Sequence, residues 1–209
     1  MKDLTTYINE SLSEDKNIMP LLGLLNDIDV DFSQATGKDP FELAKNQEKL
    51  LANELKKLSS EYEILTIEEY CQKKKMRYSP EVDSKVGDIV IYKDGKIAFC
   101  IDLKVSKSKT TVGTPTMLSL VNFQGNTKHY YVCSNIDGTN IRVVIANNLY
   151  NYITSGKGEV KMSKNRKNSN SKVNALLGKV NLTGTGDLEK LYDEDFVTTK
   201  TINELTKNQ

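Results

Sequence analysis

Gly87-Asp88-Ile89-Val90-Ile91-Tyr92, then Lys93-Asp94-Gly95-Lys96, then Ile97-Ala98-Phe99-Cys100-Ile101-Asp102-Leu103-Lys104-Val105 is the stretch that decides the fold of this chain. Two runs rich in β-branched and aromatic residues flank Asp94-Gly95, a strong short-range signal for a β-hairpin. One acid, Asp88, opens the first strand, and an acid-x-lysine triplet lies near the end of the second. Side chains alternate along a strand, so Asp102 and Lys104 project from one face while Ile101, Leu103 and Val105 project from the other.

The turn decides whether Asp88 joins that charged pair. A two-residue type I′ turn at Asp94-Gly95 sets Lys93 opposite Lys96 and Asp88 opposite Ile101, on the wrong face for Asp102. A three-residue Lys93-Asp94-Gly95 loop, with Gly95 in the left-handed bulge position, instead sets Asp88 opposite Cys100 and diagonal to Asp102. A bulge elsewhere in either strand has the same effect. A site that uses both acids requires one of the last two arrangements.

Two carboxylates can hold a hard cation through oxygen, and an ammonium beside them can orient a water next to a scissile phosphate. Asp88 with Asp102-Leu103-Lys104 on a hairpin resembles the PD-(D/E)xK nuclease superfamily, which includes most type II restriction endonucleases. Gly87 stands where the superfamily has its proline. The resemblance implies a restriction-endonuclease-like α/β core with a mixed central sheet flanked by helices. It further implies Mg2+ held by Asp88, Asp102 and the Leu103 carbonyl, with Lys104 positioning the attacking water. Double-stranded DNA as substrate and a homodimer follow from the same resemblance. The bland alternative is an Asp102–Lys104 ion pair on the wet face of a half-exposed strand.

Upstream, Asp39-Pro40-Phe41-Glu42 reads as a helix start, with Asp39 as cap, Pro40 in the first turn and Glu42 completing a capping box. The predicted helix runs to about Leu58, with an apolar stripe of Phe41, Ala44, Leu51, Leu55 and Leu58. Glu48 falls on that stripe, where a carboxylate is costly unless it is paired or binds a cation. In the superfamily a glutamate from the helix before the catalytic hairpin often joins the metal site, and Glu48 is the candidate here. The competing reading is a stripe-edge glutamate that reaches water. Asp83, in Ser79-Pro80-Glu81-Val82-Asp83, is a rival acid assigned to a loop.

Net charge is +1, so binding to a polyanion has to come from local patches. Three basic segments offer them. Lys73, Lys74, Lys75 and Arg77 precede the hairpin, and Lys107, Lys109 and Thr111 follow it. Between Lys157 and Lys179, the cations include Lys161, Lys164, Arg166, Lys167 and Lys172, with Glu159 as the single acid. The last segment is rich in Ser, Asn and Gly, which predicts a mobile loop that contacts DNA or, on the bland reading, a solvated insertion. Thr111 and Gln124 are polar residues within possible reach of the acids.

The 209 residues, 38% hydrophobic and 27% charged, fit one soluble domain. The expected parts are an N-terminal helical portion (1–38), a catalytic core (39–153), a basic loop (154–180) and a C-terminal helical portion (181–209). Within the core, a helix is expected over Thr116–Phe123, strands over His129–Cys133 and Ile141–Ala146, and a short helix over Asn147–Ile153. The longest apolar stretches, such as Met19–Leu25, are too short to span a bilayer, and no signal-peptide pattern opens the chain, so a cytoplasmic location is expected. Cys71, Cys100 and Cys133 read as reduced core thiols, and a single histidine, His129, excludes any site needing two imidazoles. Nucleotide-binding loops of the GxxxxGK[ST] and GxGxxG types, HExxH and paired CxxC motifs are absent from the sequence. The sequence therefore favours a type II restriction endonuclease. A repair, recombination or phage nuclease of the same fold is one rival, and an inactive DNA-binding or assembly module is the rival from another class.

Overall fold

The computed structural model describes residues 28–58, 60–123, 126, 128–154, 159–161 and 179–181. They divide into two compact units, one within Met1–Gly113 and Lys128–Val143, the other within Thr114–Thr127 and Val144–Gln209. The first unit holds a 3-10 turn (Phe32–Gln34), helix α1 (Pro40–Leu58), strand β1 (Glu63–Thr66), helices α2 (Ile67–Lys73) and α3 (Pro80–Val86), and strands β2 (Ile89–Lys93), β3 (Lys96–Val105) and β4 (His129–Ser134). Strand β5 (Ile141–Ile145) follows. The second unit holds α4 (Met117–Asn122), α5 (Ala146–Thr154) and a two-stranded ribbon of β6 (Glu159–Lys161) with β7 (Lys179–Asn181).

Five strands form a mixed sheet in the order β1-β2-β3-β4-β5. β1, β2 and β3 are antiparallel neighbours, whereas β3 and β4 run parallel, with Cys100 level with His129 and Lys104 level with Cys133. The chain is thus α/β, with helices α1 and α2 packed on β1. Among the described residues no helix is long and apolar enough to cross a membrane.

Helix α1 begins where its cap signals put it. Asp39 Oδ1 accepts the N–H groups of Phe41 and Glu42 at 2.8 and 2.9 Å. Glu42 does not close the expected box on the cap residue; its carboxylate accepts the Lys38 N–H at 2.8 Å, one residue earlier. The buried stripe is also rotated from the expected one. Phe41 and Leu58 are exposed, as is Ala44, and the inward positions are Lys45, Gln47, Glu48, Leu51, Ala52 and Leu55. Three polar residues face inward over the first half of α1, so hydrophobicity alone misplaces its inner face.

The segment assigned to a loop around Asp83 is helix α3. Ser79 caps it by accepting the Val82 N–H at 3.3 Å, and Pro80 occupies its first turn. Val82 and Val86 of α3 join Ile67, Tyr70 and Cys71 of α2 and Val90, Tyr92, Ile97 and Cys100 of the hairpin in one apolar cluster. At ~25 cal/mol per Å² of apolar surface, clusters of this kind supply the main force holding helix to sheet. All three cysteines are buried and free of disulfides. The ends of the expected basic loop are paired as well, Glu159 with Asn181 and Lys161 with Lys179. The expected terminal helical portions lie largely or wholly outside the described residues.

Candidate active site

Asp94 and Gly95 both have positive φ, 49° and 81°, and Lys93 pairs directly with Lys96. This is the two-residue turn, not the three-residue loop that a shared acid site favoured. The register nevertheless changes further along. Tyr92 pairs with Ile97 but Ile91 pairs with Phe99, so Ala98 is an extra residue on β3. Beyond this bulge every β3 side chain has switched faces relative to an unbroken hairpin. Ile89 now pairs with Ile101, which brings Asp88, the preceding residue, level with Asp102.

The two acids are fastened from several sides. Asp88 Oδ2 accepts the Leu103 N–H at 2.7 Å, its own N–H donates to the Ile101 carbonyl at 2.8 Å, and its carbonyl accepts the Ile67 N–H at 2.9 Å. Lys104 Nζ donates to Asp102 Oδ1 at 2.5 Å. The Asp102 side chain is 9% exposed and that of Lys104 28%, and the ammonium that joins them is itself largely withdrawn from solvent. Burial, then the charge of Asp102, holds the Asp88 carboxyl well above the usual carboxylate range. Burial pushes Asp102 the same way, but the Lys104 ammonium, with the His129 ring and the Asp88 carboxyl beside it, outweighs it and holds the carboxyl below its ordinary value. Lys104 stays protonated because Asp102 and Asp88 overcome the opposing effect of burial. The two acids are thus driven apart in proton affinity, Asp88 upward and Asp102 downward, beside one lysine.

Glu48 faces inward from α1 and is buried. Its Oε2 lies 2.9 Å from Lys45 Nζ, which also stands 3.5 Å from Asp83 Oδ1 and 5.4 Å from the centre of the Tyr78 ring. Burial pushes the Glu48 carboxyl up to about 7 despite Lys45, and the charges of Asp83 and Asp102 add to the rise. Glu48 also raises Asp88, which places it within electrostatic reach of the hairpin acids. Its hydrogen-bonded partner is Lys45, not a carboxylate of the pair.

A hard divalent ion fits the carboxylate pair by its chemistry. The donors are oxygens only, and a cation would offset the burial and like charge that raise the Asp88 carboxyl. Among the described residues no three His, Cys, Asp or Glu side chains converge as a metal cluster. Asp88 and Asp102 come together as a pair, Leu103 is held against Asp88, and Glu48 stands behind Lys45.

The basic candidates are scattered. Lys73 pairs with Glu63 at 2.7 Å, and Lys74 donates to the Tyr92 hydroxyl at 2.6 Å. Tyr92 is four residues along β2 from Asp88, roughly 13 Å at the usual strand rise, so these two lysines serve the far end of the hairpin. Lys75 and Arg77 are exposed. Lys107, Lys109 and Thr111 are exposed on the loop that leaves β3, and Ser108 Oγ accepts the Thr110 and Thr111 N–H groups at 3.1 and 3.3 Å. Lys161 has its backbone in β6, while Lys164, Arg166, Lys167, Lys172 and Gln124 lie outside the described residues.

Sequence reasoning passed over Lys45 and His129. Lys45 was legible in principle as the residue three before Glu48 on the same helical face. His129 Nε2 stands 3.9 Å from Asp102 Oδ2, a neighbourhood that only the parallel β3–β4 register creates. No protein-family model, curated protein or solved structure matches this chain.

Proposed function

We propose that the chain is a Mg2+-dependent DNA endonuclease of the PD-(D/E)xK type with a restriction-endonuclease-like core, cutting a specific duplex site as a homodimer. The observation that carries this reading is the bulge at Ala98, which brings Asp88 level with Asp102 on the face that bears Lys104. A bulge that gathers two acids and a lysine at a buried strand end costs ladder regularity, and such irregularities concentrate beside active sites.

Asp88, Asp102 and the Leu103 carbonyl would hold the ion, which when bound neutralises charge developing on the phosphate and makes water more acidic. Lys104, anchored by Asp102 Oδ1, would orient the attacking water for in-line displacement. The low exposure of both acids limits competing water around the scissile phosphate.

A second reading, a DNA-binding module without catalysis, draws support from the internal pairing of Lys45 with Glu48 and Lys104 with Asp102. Plasmid nicking with and without Mg2+ separates the two. Mg2+-dependent conversion to nicked or linear DNA, lost in Asp88→Asn, upholds the nuclease; DNA retention without conversion across Mg2+ and Mn2+ upholds the binding module. Discrete fragments from a long duplex would mark site-specific cutting, and preference for junctions or ends would mark a repair or recombination role.

A further inference from the structure

His129 is the chain's single histidine, and it is completely buried at the start of β4. The parallel register sets it level with Cys100, on the sheet face that carries Asp102 and Lys104. Its Nε2 lies 3.9 Å from Asp102 Oδ2, while Lys104 takes Oδ1. The separation is longer than a hydrogen bond but places the ring nitrogen directly beside that oxygen.

The ring carbon next to Nε2 meets the backbone before Asp88. Gly87 has φ of 99°, and a Cβ there would stand 2.8 Å from His129 Cε1 and 3.0 Å from the Ile101 carbonyl oxygen. Proline, with φ fixed at about −65°, cannot adopt this conformation, and a side chain here would collide with the His129 ring unless that ring shifts. The Tyr131 ring packs edge-on at 5.6 Å between centroids. One imidazole therefore touches the residue before the first acid and faces the second acid.

We propose that His129 is a positioning residue for the carboxylate pair: its Nε2–H orients the second oxygen of Asp102, and its ring fixes the Gly87 backbone from which Asp88 extends. An imidazole N–H at Nε2 has Asp102 Oδ2 as the acceptor that faces it. Carboxylates that bind metal ions depend on such partners for orientation, and losing one typically costs 10–100-fold in metal affinity. The inference rests on reading Asp88 and Asp102 as ion-binding, and its test includes one measurement independent of that reading.

The measurement is the imidazole resonance pattern of histidine-labelled full-length protein, which reports the tautomer; as the only histidine, His129 is assigned without ambiguity. The expected result is an Nε2–H tautomer whose Nε2 signal moves in Asp102→Asn. Calcium titrated calorimetrically, without DNA, should bind His129→Leu about tenfold or more weakly than wild type and be restored to within about threefold in His129→Gln, which keeps an N–H donor near the Nε2 position. An Nδ1–H tautomer, an unmoved signal in Asp102→Asn, or wild-type calcium affinity in His129→Leu would overturn the proposal. If wild type binds no calcium, the nuclease reading loses its support while the tautomer and the Asp102→Asn response still decide the role of His129. If His129→Leu fails to fold, His129→Gln and the resonance pattern decide it.

Discussion

The Asp88 carboxylate accepts the Leu103 N–H at 2.7 Å, so the first acid is hydrogen-bonded into the Asp102-Leu103-Lys104 triplet. This bond crosses from the residue just before β2 to the far end of β3, beyond the last paired residues of the ladder. Asn can replace Asp88 there as an acceptor without its charge, which gives the first prediction its isostere.

Asp88→Asn should lower Mg2+-dependent cleavage by about 100-fold or more, beyond the usual cost of losing only an outer partner, while raising the metal-free melting temperature near pH 8. The rise follows because burial and Asp102 disfavour an ionised Asp88. A lower melting temperature with intact cleavage would remove Asp88 from the site.

Lys104→Met keeps the aliphatic stem and removes the ammonium that occupies Asp102 Oδ1. Cleavage should fall by about 10²–10⁴-fold, the range for loss of a positioned proton-transfer group. Calcium binding should hold or tighten, since the ammonium no longer competes for the carboxylate. Loss of calcium binding in a folded Lys104→Met protein would mean that the lysine builds the site instead of acting in it.

Glu48 predicts a pH dependence of stability. Its carboxyl is raised from 4.5 to about 7, so between these values the native state binds more protons than the unfolded chain. Stability must then fall as pH rises through that window, by at most about 3 kcal/mol at 1.36 kcal/mol per unit. Asp88 acts in the same direction, whereas the contribution of the depressed Asp102 is lost only below the ordinary carboxylate range. Urea unfolding of the metal-free protein from pH 5 to 8 should show the decline, and Glu48→Gln should reduce its slope. An unchanged slope would show that Glu48 is ordinarily ionised.

Gly87 and Gly95 both have positive φ but different surroundings. A Cβ at Gly95 meets nothing within 4 Å, so Gly95→Ala should cost about 1–2 kcal/mol for the backbone alone. Gly87→Ala adds the collision with His129 and should cost more. In a double-mutant cycle, His129→Ala should recover part of the Gly87→Ala penalty and none of the Gly95→Ala penalty. Equal costs at the two glycines would dissolve the proposed contact.

Lys107→Ala with Lys109→Ala should weaken DNA binding and lower the salt slope by about 2, one unit per lost phosphate contact. Both lysines are exposed on the loop leading from Lys104. Filter binding across salt concentrations would read this, and an unchanged slope would shift attention to the 157–179 segment.

Much of the scaffold was legible in residue order. Asp94-Gly95 marked the turn, Asp39-Pro40 the start of α1, and the apolar runs β2 and β3. Ala98 was not legible as a bulge, because a small apolar residue inside a strand carries no local mark of being unpaired. Helix α3 did have a signal in Ser79-Pro80, but its seven residues gave too little periodicity to outweigh the surrounding polar positions. The stripe of α1 was misphased because Lys45, Gln47 and Glu48 are buried, an arrangement that neighbouring charges such as Asp83 support and that hydropathy cannot anticipate. His129 comes to face Asp102 across a parallel pairing, and such non-local partners lie beyond local pattern reading.

That same parallel pairing separates early from late events in folding. β2 and β3 can zip from their two-residue turn within microseconds, as hairpins do, whereas β4 must wait for residues 106–128 to close a loop against β3. The hairpin can thus carry both acids before the imidazole that faces one of them has arrived. Cys100 and Cys133 record the difference, since the first lies within the hairpin and the second on β4. During refolding, protection of Cys133 from a thiol reagent should track the appearance of a competent site, and protection of the hairpin alone should not.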